Sequence, residues 1–187
     1  LRDWRATATQ PEPDLQALFM ATFTLKRMIE GGLFDQLGGG FARYSVDERW
    51  EIPHFEKMLY DNGQLLSVLA EAAQATGDSD FARALTATAD CLLRDFRLPG
   101  GSFAAAFDAD SEGREGVFYM WTPEQVRAVL DEGDAALFEA RFGLDGEPNF
   151  EHGWGPVVRR SLGDLVTEPR FGSEEGELAR RLEAANA

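Results

Sequence analysis

The residues that could do chemistry lie closest together in residues 38–62. This segment reads GGGFARYSVDERWEIPHFEKMLYDN, so a glycine triplet leads into a dense series of ionisable and aromatic side chains. A solvated surface helix rarely carries Trp, Tyr and His at this density, whereas the wall of a site combines aromatic and ionisable groups. The segment is therefore predicted to line a site for a polar ligand.

His54 and Glu56 are the predicted proton carriers of this site. Pro53 is predicted to begin a helix, so His54 would lie at the positive end of the helix dipole, which favours the neutral imidazole of a general base. Glu56 would be favoured as a carboxylate in the same first turn, with Lys57 and Asp61 following on the same helix. An imidazole, a carboxylate and an ammonium within one turn can move protons on and off carbon or oxygen, as sugar epimerisation and glycoside hydrolysis require.

Other side chains in and around the segment are predicted to hold the ligand. Aromatic faces stack on sugar rings, and guanidinium groups bind carboxylates and hydroxyls. Asp35 precedes the glycine triplet, in a stretch with enough backbone freedom to place a carboxylate at the floor of a cavity. The predicted ligand-binding residues are Asp35, Arg43, Tyr44, Trp50, Lys57, Tyr60, Asp61 and Trp121.

A structural role is the alternative for these side chains. Glu56, Lys57 and Asp61 would then form a salt-bridged network that braces the preceding loop. His54 would cap a backbone group, and Asp35 would cap a nearby backbone N–H. The sequence leaves both interpretations open.

A second acidic motif, DADSEG, occupies residues 108–113. Its alternating carboxylates resemble the first half of a calcium-binding loop, but Tyr119 stands at the twelfth position, where such a loop has a bidentate Glu. Asp108 and Asp110 are instead predicted as an acid and base pair, since alternate side chains of an extended segment point the same way. A hydrogen-bonded turn is the alternative. The charged residues that follow are expected to be solvated: Glu112, Arg114 and Glu115.

No cofactor and no metal are expected. The glycine triplet is not followed by Lys and Ser or Thr, as it would be in a phosphate-binding loop. His152 has no second His or Cys at the spacing of a zinc site.

Apolar residues recur at three- and four-residue intervals over most of the chain, which predicts a mainly α-helical protein. Residues 122–125, TPEQ, are a capping box at the start of one helix. Imperfect alternation predicts two short β-hairpin insertions, over residues 41–52 and 98–121. The predicted helices cover residues 14–30, 54–76, 79–96, 123–131, 134–142 and 174–185, with an irregular stretch over 143–161.

Two segments of the chain resemble one known family. They are GGLFDQLGGGFARYSVDERWEIPHFEKMLYDN at residues 31–62 and FDADSEGREGVFYMWTPEQV at residues 107–126. In these segments, and over about residues 15–165, the chain is similar to the thioredoxin-domain-containing proteins typified by spermatogenesis-associated protein 20.

This resemblance implies a fold. Members of the family join an N-terminal thioredoxin-like domain to an α/α toroid of antiparallel helical hairpins, similar to six-hairpin glycosidases and N-acylglucosamine 2-epimerases. Residues 1–187 are then expected to be a fragment of one such toroid, about half of the ring, within a longer polypeptide and without the thioredoxin-like domain. The open edge of a half-ring predicts self-association, unless the C-terminal helix closes the half-ring on itself.

The resemblance also implies a function. A toroid of this type is expected to bind or process a carbohydrate-like small molecule, as an epimerase, an isomerase or a glycoside hydrolase does. The alternative is a non-catalytic interaction module that partners the thioredoxin-like domain.

Composition excludes several function classes. A net charge of −15 argues against nucleic acid and anionic membranes as partners, because binding phosphates requires clustered Lys and Arg. The single cysteine, Cys91, is expected to be buried and supplies no dithiol for redox chemistry. No apolar stretch reaches the roughly 20 residues that span a bilayer. No secretory signal pattern opens the chain, so the cytoplasm is the expected compartment.

Overall fold

The protein is mainly α-helical, as predicted. The computed structural model describes residues 1–151, 153–172 and 174–185. No helix in these ranges has both the length and the apolar composition needed to span a bilayer. The helices are α1 (Arg2–Thr7), α2 (Leu15–Glu30), α3 (Leu59–Thr76), α4 (Ser79–Cys91), α5 (Pro123–Val129), α6 (Glu132–Phe142), α7 (Leu162–Leu165) and α8 (Glu175–Ala185).

Local sequence signals account for the ends of several helices. α2 begins after Asp14, whose carboxylate accepts a hydrogen bond from the N–H of Ala17. α5 begins at the predicted capping box, in which the side chains of Thr122 and Gln125 bond each other's backbone N–H groups. α3 ends at Gly77, whose φ of +70° lies in the left-handed region that glycine adopts without steric cost.

α3 and α4 form a helical hairpin. Only Gly77 and Asp78 connect them, so the chain reverses and α4 packs along α3. A π-helical turn, Leu92–Phe96, continues α4, and together they cover the helix predicted over residues 79–96. Cys91 lies on the inner face of α4 and is buried, as expected.

The predicted helix start at residue 54 is wrong, because α3 begins at Leu59. The residues before it are extended, with β2 at Pro53–His54 and β3 at Lys57–Met58. Burial alternates from residue 53 to residue 57, which is the two-residue period of a strand. The sequence does not show this alternation, because the inward-facing position at residue 57 is occupied by a charged lysine instead of an apolar residue. His54 therefore meets no helix dipole and shares no helical stripe with the residues of α3.

In the described part of the chain, three short antiparallel strand pairs lie between the helices. β1 (Tyr44–Ser45) pairs with β2, and β5 (Asp110–Ser111) pairs with β6 (Arg114–Glu115). β3 pairs with β4 (Ala106–Phe107), which belongs to the second insertion. The short β insertions predicted from the sequence are therefore present, and the β3–β4 pair holds them side by side.

Two apolar clusters form most of the core. Buried residues of the first come from α2, α3, α4 and the loop after α2, and they include Ile29, Phe34, Phe41, Leu69 and Phe81. Buried residues of the second come mostly from α5 to α8, and they include Val126, Leu137, Phe138, Leu165 and Leu178. A smaller cluster packs the β insertions together: Phe55, Ala109 and Met120.

One face of α2 is apolar and exposed. Leu15, Phe19, Met20 and Phe23 are each more than half exposed. The rings of Phe19 and Phe23 stack with their centroids 5.6 Å apart. Such a face is what an open edge of a half-ring would present, and self-association stays a prediction.

Candidate functional site

An exposed cluster around His54 brings several predicted site residues together. The β1–β2 register sets Tyr44 opposite His54, and the two rings stack with centroids 5.0 Å apart and planes inclined by 25°. His54 Nδ1 lies 2.8 Å from Glu115 Oε1, and His54 Nε2 lies 3.2 Å from Glu56 Oε2. Arg43 Nη1 lies 3.0 Å from the same Glu56 oxygen. We refer to Arg43, Tyr44, His54, Glu56 and Glu115 as the His54 cluster.

The His54 cluster holds one imidazole between two carboxylates. A neutral imidazole has a single N–H and can donate to one of them, whereas an imidazolium can donate to both. About one quarter of the side chains of His54 and Glu56 is exposed, 25% and 28%, so a ligand in solvent can reach them. The two ring nitrogens of His54 therefore each face a carboxylate at a surface that solvent reaches. The helix-based reason for expecting a neutral imidazole is wrong, because His54 lies in a strand.

Asp110 lies beside the His54 cluster, and Asp108 is tied into a turn. The β5–β6 register sets Asp110 opposite Glu115, whose carboxylate contacts His54. Asp108 Oδ1 accepts a hydrogen bond from the Asp110 N–H at 3.1 Å, which is the turn considered as the alternative to an acid and base pair. Both aspartates are exposed and Ala109 between them is buried, so they stand on the same side of the chain.

Asp35 and Lys57 form a buried ion pair beside the glycine triplet. Lys57 is 5% exposed, and its Nζ lies 2.7 Å from Asp35 Oδ2 and 2.7 Å from the carbonyl oxygen of Gly39. The other Asp35 oxygen accepts from the N–H groups of Leu37 and Gly38. Burial lowers the pKa of Lys57, but Asp35 and other nearby groups outweigh it, so the pKa lies above its ordinary value. Lys57 therefore pairs with Asp35 and not, as the bracing alternative expected, with Glu56 and Asp61, whereas Asp35 caps nearby N–H groups as its own alternative expected.

A small cavity borders the Asp35–Lys57 pair. Its volume is about 40 Å³, which is room for about three water molecules. Pockets for small ligands measure roughly 300–1,000 Å³. A sugar ring does not fit there, so the predicted contact of Asp35 and Lys57 with such a ligand is not supported by this arrangement.

The glycine triplet brings the main chain against α4. Gly39 has a φ of +73°, and a Cβ at this position would lie 2.2 Å from the carbonyl oxygen of Ala87. Any larger residue would force the loop away from the helix. The main chain of the triplet therefore packs closely against the protein's own backbone.

The remaining predicted binding residues are spread over the surface. Tyr60 is half exposed and lies near Arg43, whose pKa is raised above its ordinary value by the hydrogen bond to Glu56 first and by Tyr60 next. Asp61 is half-buried, and its Oδ2 is buried without a hydrogen-bond partner in the described part of the chain. Trp50 lines a separate surface cavity of about 410 Å³ next to α2, and Trp121 packs against the C-terminal core. The structure therefore brings Tyr60 to the His54 cluster but not Trp50 or Trp121.

Residues 1–151, 153–172 and 174–185 contain no group of three or more His, Cys, Asp or Glu side chains that could hold a metal ion. His152 lies outside the described residues.

Comparison with curated proteins identifies relatives of the chain. No protein-family model matches it. Over 119 residues, 60% of the chain, it is 43% identical to spermatogenesis-associated protein 20 of Rattus norvegicus and 40% identical to that of Homo sapiens. The chain is similar to part of spermatogenesis-associated protein 20. It is also 34% identical, over 145 residues and 72% of the chain, to the uncharacterized protein B0495.5 of Caenorhabditis elegans.

These relatives support the family resemblance of the two sequence motifs. The relatives are much longer than the chain. The matched region is 15% of each mammalian spermatogenesis-associated protein 20 and 20% of the nematode relative. The chain therefore matches only a small part of the length of these curated relatives.

Sequence reasoning missed Glu115. Solvation is expected for this residue from its position in the acidic motif, but its carboxylate contacts His54 Nδ1 and also accepts from the N–H of Phe55. His54 and Glu115 are 61 residues apart in the chain, so no spacing pattern indicates the contact. Only the packing of the β5–β6 hairpin on the first insertion creates it.

Asp47 organises the loop between β1 and β2. Its carboxylate accepts hydrogen bonds at 2.7, 3.0 and 2.6 Å from the N–H groups of Arg49, Glu51 and Ile52. Burial raises the pKa of Asp47, but these N–H donors bring it below its ordinary value. The loop holds Trp50 at a φ of +60° and sets the β1–β2 register on which the His54 cluster depends. An Asp that caps its own turn is a recognisable local signal that could have indicated this role.

Alkaline pH is expected to destabilise the fold. Burial raises the pKa of Cys91 above its ordinary 9.0 and the pKa of Tyr119 above 10.0, and the pKa of Lys57 is also raised. The folded state then holds more protons than the unfolded state at high pH, so stability falls as the pH rises above about 9. Urea unfolding between about pH 7 and pH 10.5 measures this loss. Cys91→Ala should move the onset of the loss to higher pH, and constant or rising stability over this range would contradict the expectation.

Proposed function

We propose that the His54 cluster binds a carbohydrate-like small molecule, in a chain that forms part of an α/α toroid of the six-hairpin type. The observation that carries the proposal is the stacking of Tyr44 on His54 between two carboxylates at an exposed face. An aromatic ring next to charged donors and acceptors is the usual chemistry of a sugar-binding surface. The α3–α4 hairpin, the β insertions between helices and the named relatives are compatible with the toroid.

The ligand is proposed to contact the open face of the cluster. The cavity at Lys57 is too small for a sugar, whereas His54, Glu56 and Asp110 are all reachable from solvent. Arg43 and the hydroxyl of Tyr60 lie close to this face and can hydrogen-bond ligand hydroxyls. If the bound molecule is processed as well as held, His54 and Glu56 carry the protons that epimerisation or glycoside hydrolysis needs.

The test is thermal unfolding of the chain with D-glucose, N-acetylglucosamine or sorbitol, each at about 10 mM. A ligand with a Kd of about 1 mM adds about 1.4 kcal/mol to the stability at this concentration, which raises Tm by about 3–5 °C. Tyr44→Ala and His54→Gln are expected to abolish the shift. Phe118→Ala is the matched control, because it removes an aromatic ring that is 73% exposed and outside the cluster.

Two results would count against the proposal. One is the absence of a shift with all three molecules, and the other is a shift of equal size in the wild-type chain and in His54→Gln. A His54→Gln variant that melts lower but responds to ligands like the wild-type chain would indicate a structural cluster.

An interaction module is the second proposed function, favoured by the exposed apolar face of α2. The stacked rings of Phe19 and Phe23, with Leu15 and Met20, form a continuous apolar surface that a partner could cover. The partner would be a second copy of the chain or the thioredoxin-like domain that the family resemblance implies. The buried Asp35–Lys57 pair fits this function, since it holds loops in place without contacting a ligand.

A further inference from the structure

Arg83 and Arg141 differ from the other arginines of the described residues. Four arginines of the described residues are half-buried: Arg83, Arg141, Arg160 and Arg181. Arg160 and Arg181 form ion pairs with carboxylates. Within residues 1–151, 153–172 and 174–185, no carboxylate oxygen lies within 4.0 Å of a guanidinium nitrogen of Arg83 or Arg141. The chain has 33 acidic residues against 18 basic ones, so a partner of opposite charge is not scarce. A half-buried guanidinium group without a carboxylate partner lowers the stability of the folded protein unless another anion binds to it.

Both arginines line the same cavity, whose volume is about 310 Å³. Its walls come from the start of α4, with Ser79 and Arg83, from the end of α6, with Arg141, and from α8, with Leu182 and Glu183. This volume reaches the lower end of the range for small-ligand pockets. We call this space the arginine cavity.

A neighbouring cavity extends the arginine cavity along α4. It measures about 550 Å³, and Arg83 and Glu183 line both spaces. A ligand anchored at the two arginines therefore has room for further groups. The residues of the His54 cluster line neither cavity, so this region is distinct from the sugar site proposed above.

The charges around the arginine cavity favour an anion. Burial lowers the pKa of Arg141, and the charge of Arg83 lowers it further, because the two guanidinium groups repel each other. The charges of Asp80 and Glu30 raise this pKa, but they offset only part of the decrease. Arg141 donates a hydrogen bond to the carbonyl oxygen of Arg160, which accepts it but brings no negative charge. The carboxylate of Asp80 also lines the cavity, but it lies 3.5 Å from the ammonium of Lys26. An anion between the two guanidinium groups would remove their repulsion and accept charge-assisted hydrogen bonds from both.

We propose that the arginine cavity binds a small organic anion whose carboxylate or phosphate group lies between Arg83 and Arg141. The planar guanidinium groups present paired donors that match both kinds of acid. The apolar part of the ligand packs against the aromatic and aliphatic wall that Phe142, Leu162 and Leu182 supply.

Calorimetric titration of the chain with inorganic phosphate, benzoate and benzyl alcohol tests the proposal at constant ionic strength. Benzyl alcohol is the neutral counterpart of benzoate, so it reports binding that does not need the charge. Saturable binding of phosphate or benzoate is expected, without binding of benzyl alcohol. Binding of phosphate alone identifies a phosphate ligand, and binding of benzoate alone identifies a carboxylate ligand.

Three variants locate the binding site. Arg83→Gln is expected to weaken anion binding about tenfold, because one charge-assisted pair of hydrogen bonds is lost. Arg97→Gln is the matched control: it removes the same charge at an exposed position outside both cavities, and it should change the affinity by less than about twofold. Glu183→Gln removes a negative charge from the wall and is expected to tighten binding about threefold.

The proposal fails if neither anion binds up to about 20 mM, or if Arg83→Gln and Arg97→Gln weaken binding equally. Arg141→Gln should also lose binding, but it removes the donor to the Arg160 carbonyl and could disturb folding. Among the residues that the structure describes, Arg83 makes no such hydrogen bond, and Glu183 is exposed. Circular dichroism of those two variants is therefore expected to match that of the wild-type chain.

Discussion

Asp35→Ala is expected to lower the free energy of unfolding by about 3–5 kcal/mol. The substitution leaves the Lys57 ammonium buried without its carboxylate partner, and it removes the acceptor for the N–H groups of Leu37 and Gly38. An exposed ion pair would contribute only about 0–1 kcal/mol, so the size of the loss depends on burial. Urea unfolding at pH 7, followed by circular dichroism, measures it.

Two controls separate the buried charge from other effects. The double variant Asp35→Asn with Lys57→Met removes both charges, keeps a side-chain oxygen for the backbone N–H groups and fills the space of the lysine stem. Its free energy of unfolding is expected to exceed that of Asp35→Ala by at least about 1 kcal/mol. Glu51→Ala is the surface control, because Glu51 forms a two-pronged ion pair with the exposed Arg159, with both distances 2.7 Å. If Asp35→Ala costs no more than Glu51→Ala, the Asp35–Lys57 pair does not brace the fold.

Asn62→Ala is expected to cost about 2–4 kcal/mol of unfolding free energy. Asn62 has no exposed surface, and its Oδ1 accepts from the N–H of Phe41 at 2.7 Å. Its Nδ2 donates to the carbonyl oxygens of Phe41 and Met58 at 2.9 and 3.0 Å. Alanine leaves the N–H and C=O of Phe41 without these partners in a region that water does not reach. The same urea titration reports the loss.

Asn149→Ala is the matched control for Asn62→Ala. Asn149 also bonds both backbone groups of one residue, accepting from the Gly155 N–H at 2.8 Å and donating to the Gly155 carbonyl at 2.9 Å. Its side chain is only half-buried, so water can replace the lost amide, and the expected cost is about 1 kcal/mol. Equal losses in the two variants would show that burial does not set the contribution of Asn62.

The helices could be predicted from the sequence because their signals are local. Asp14 and Thr122 bond N–H groups within three residues of themselves, and Gly77 ends α3 through its own conformation. α1 and α7 were not predicted, because six and four residues carry too little periodicity to identify a helix.

The strands at residues 53–58 could not be predicted in the same way. His54 is extended because Pro53–His54 pairs with β1. Lys57 is extended because it pairs with Phe107, which comes after the whole α3–α4 hairpin in the sequence. Phe55 and Met58 lie at helical spacing from the apolar residues of α3, so the helical pattern extends into this segment although the segment is not helical. The pairing with distant strands decides against the helix, which is the usual way in which tertiary contacts override a local preference.

The sequence by itself determined that this protein is mainly helical, where most helices end, that Cys91 is buried and that residues 38–62 carry an unusual density of polar and aromatic side chains. Each of these follows from residues within a few positions of one another. The tertiary structure decided that Glu115 contacts His54, that Asp35 and Lys57 satisfy each other in a buried pair, and that Arg83 and Arg141 face one cavity. Those outcomes depend on which distant segments pack together, and packing is set by the burial of many side chains at once rather than by the spacing of any few.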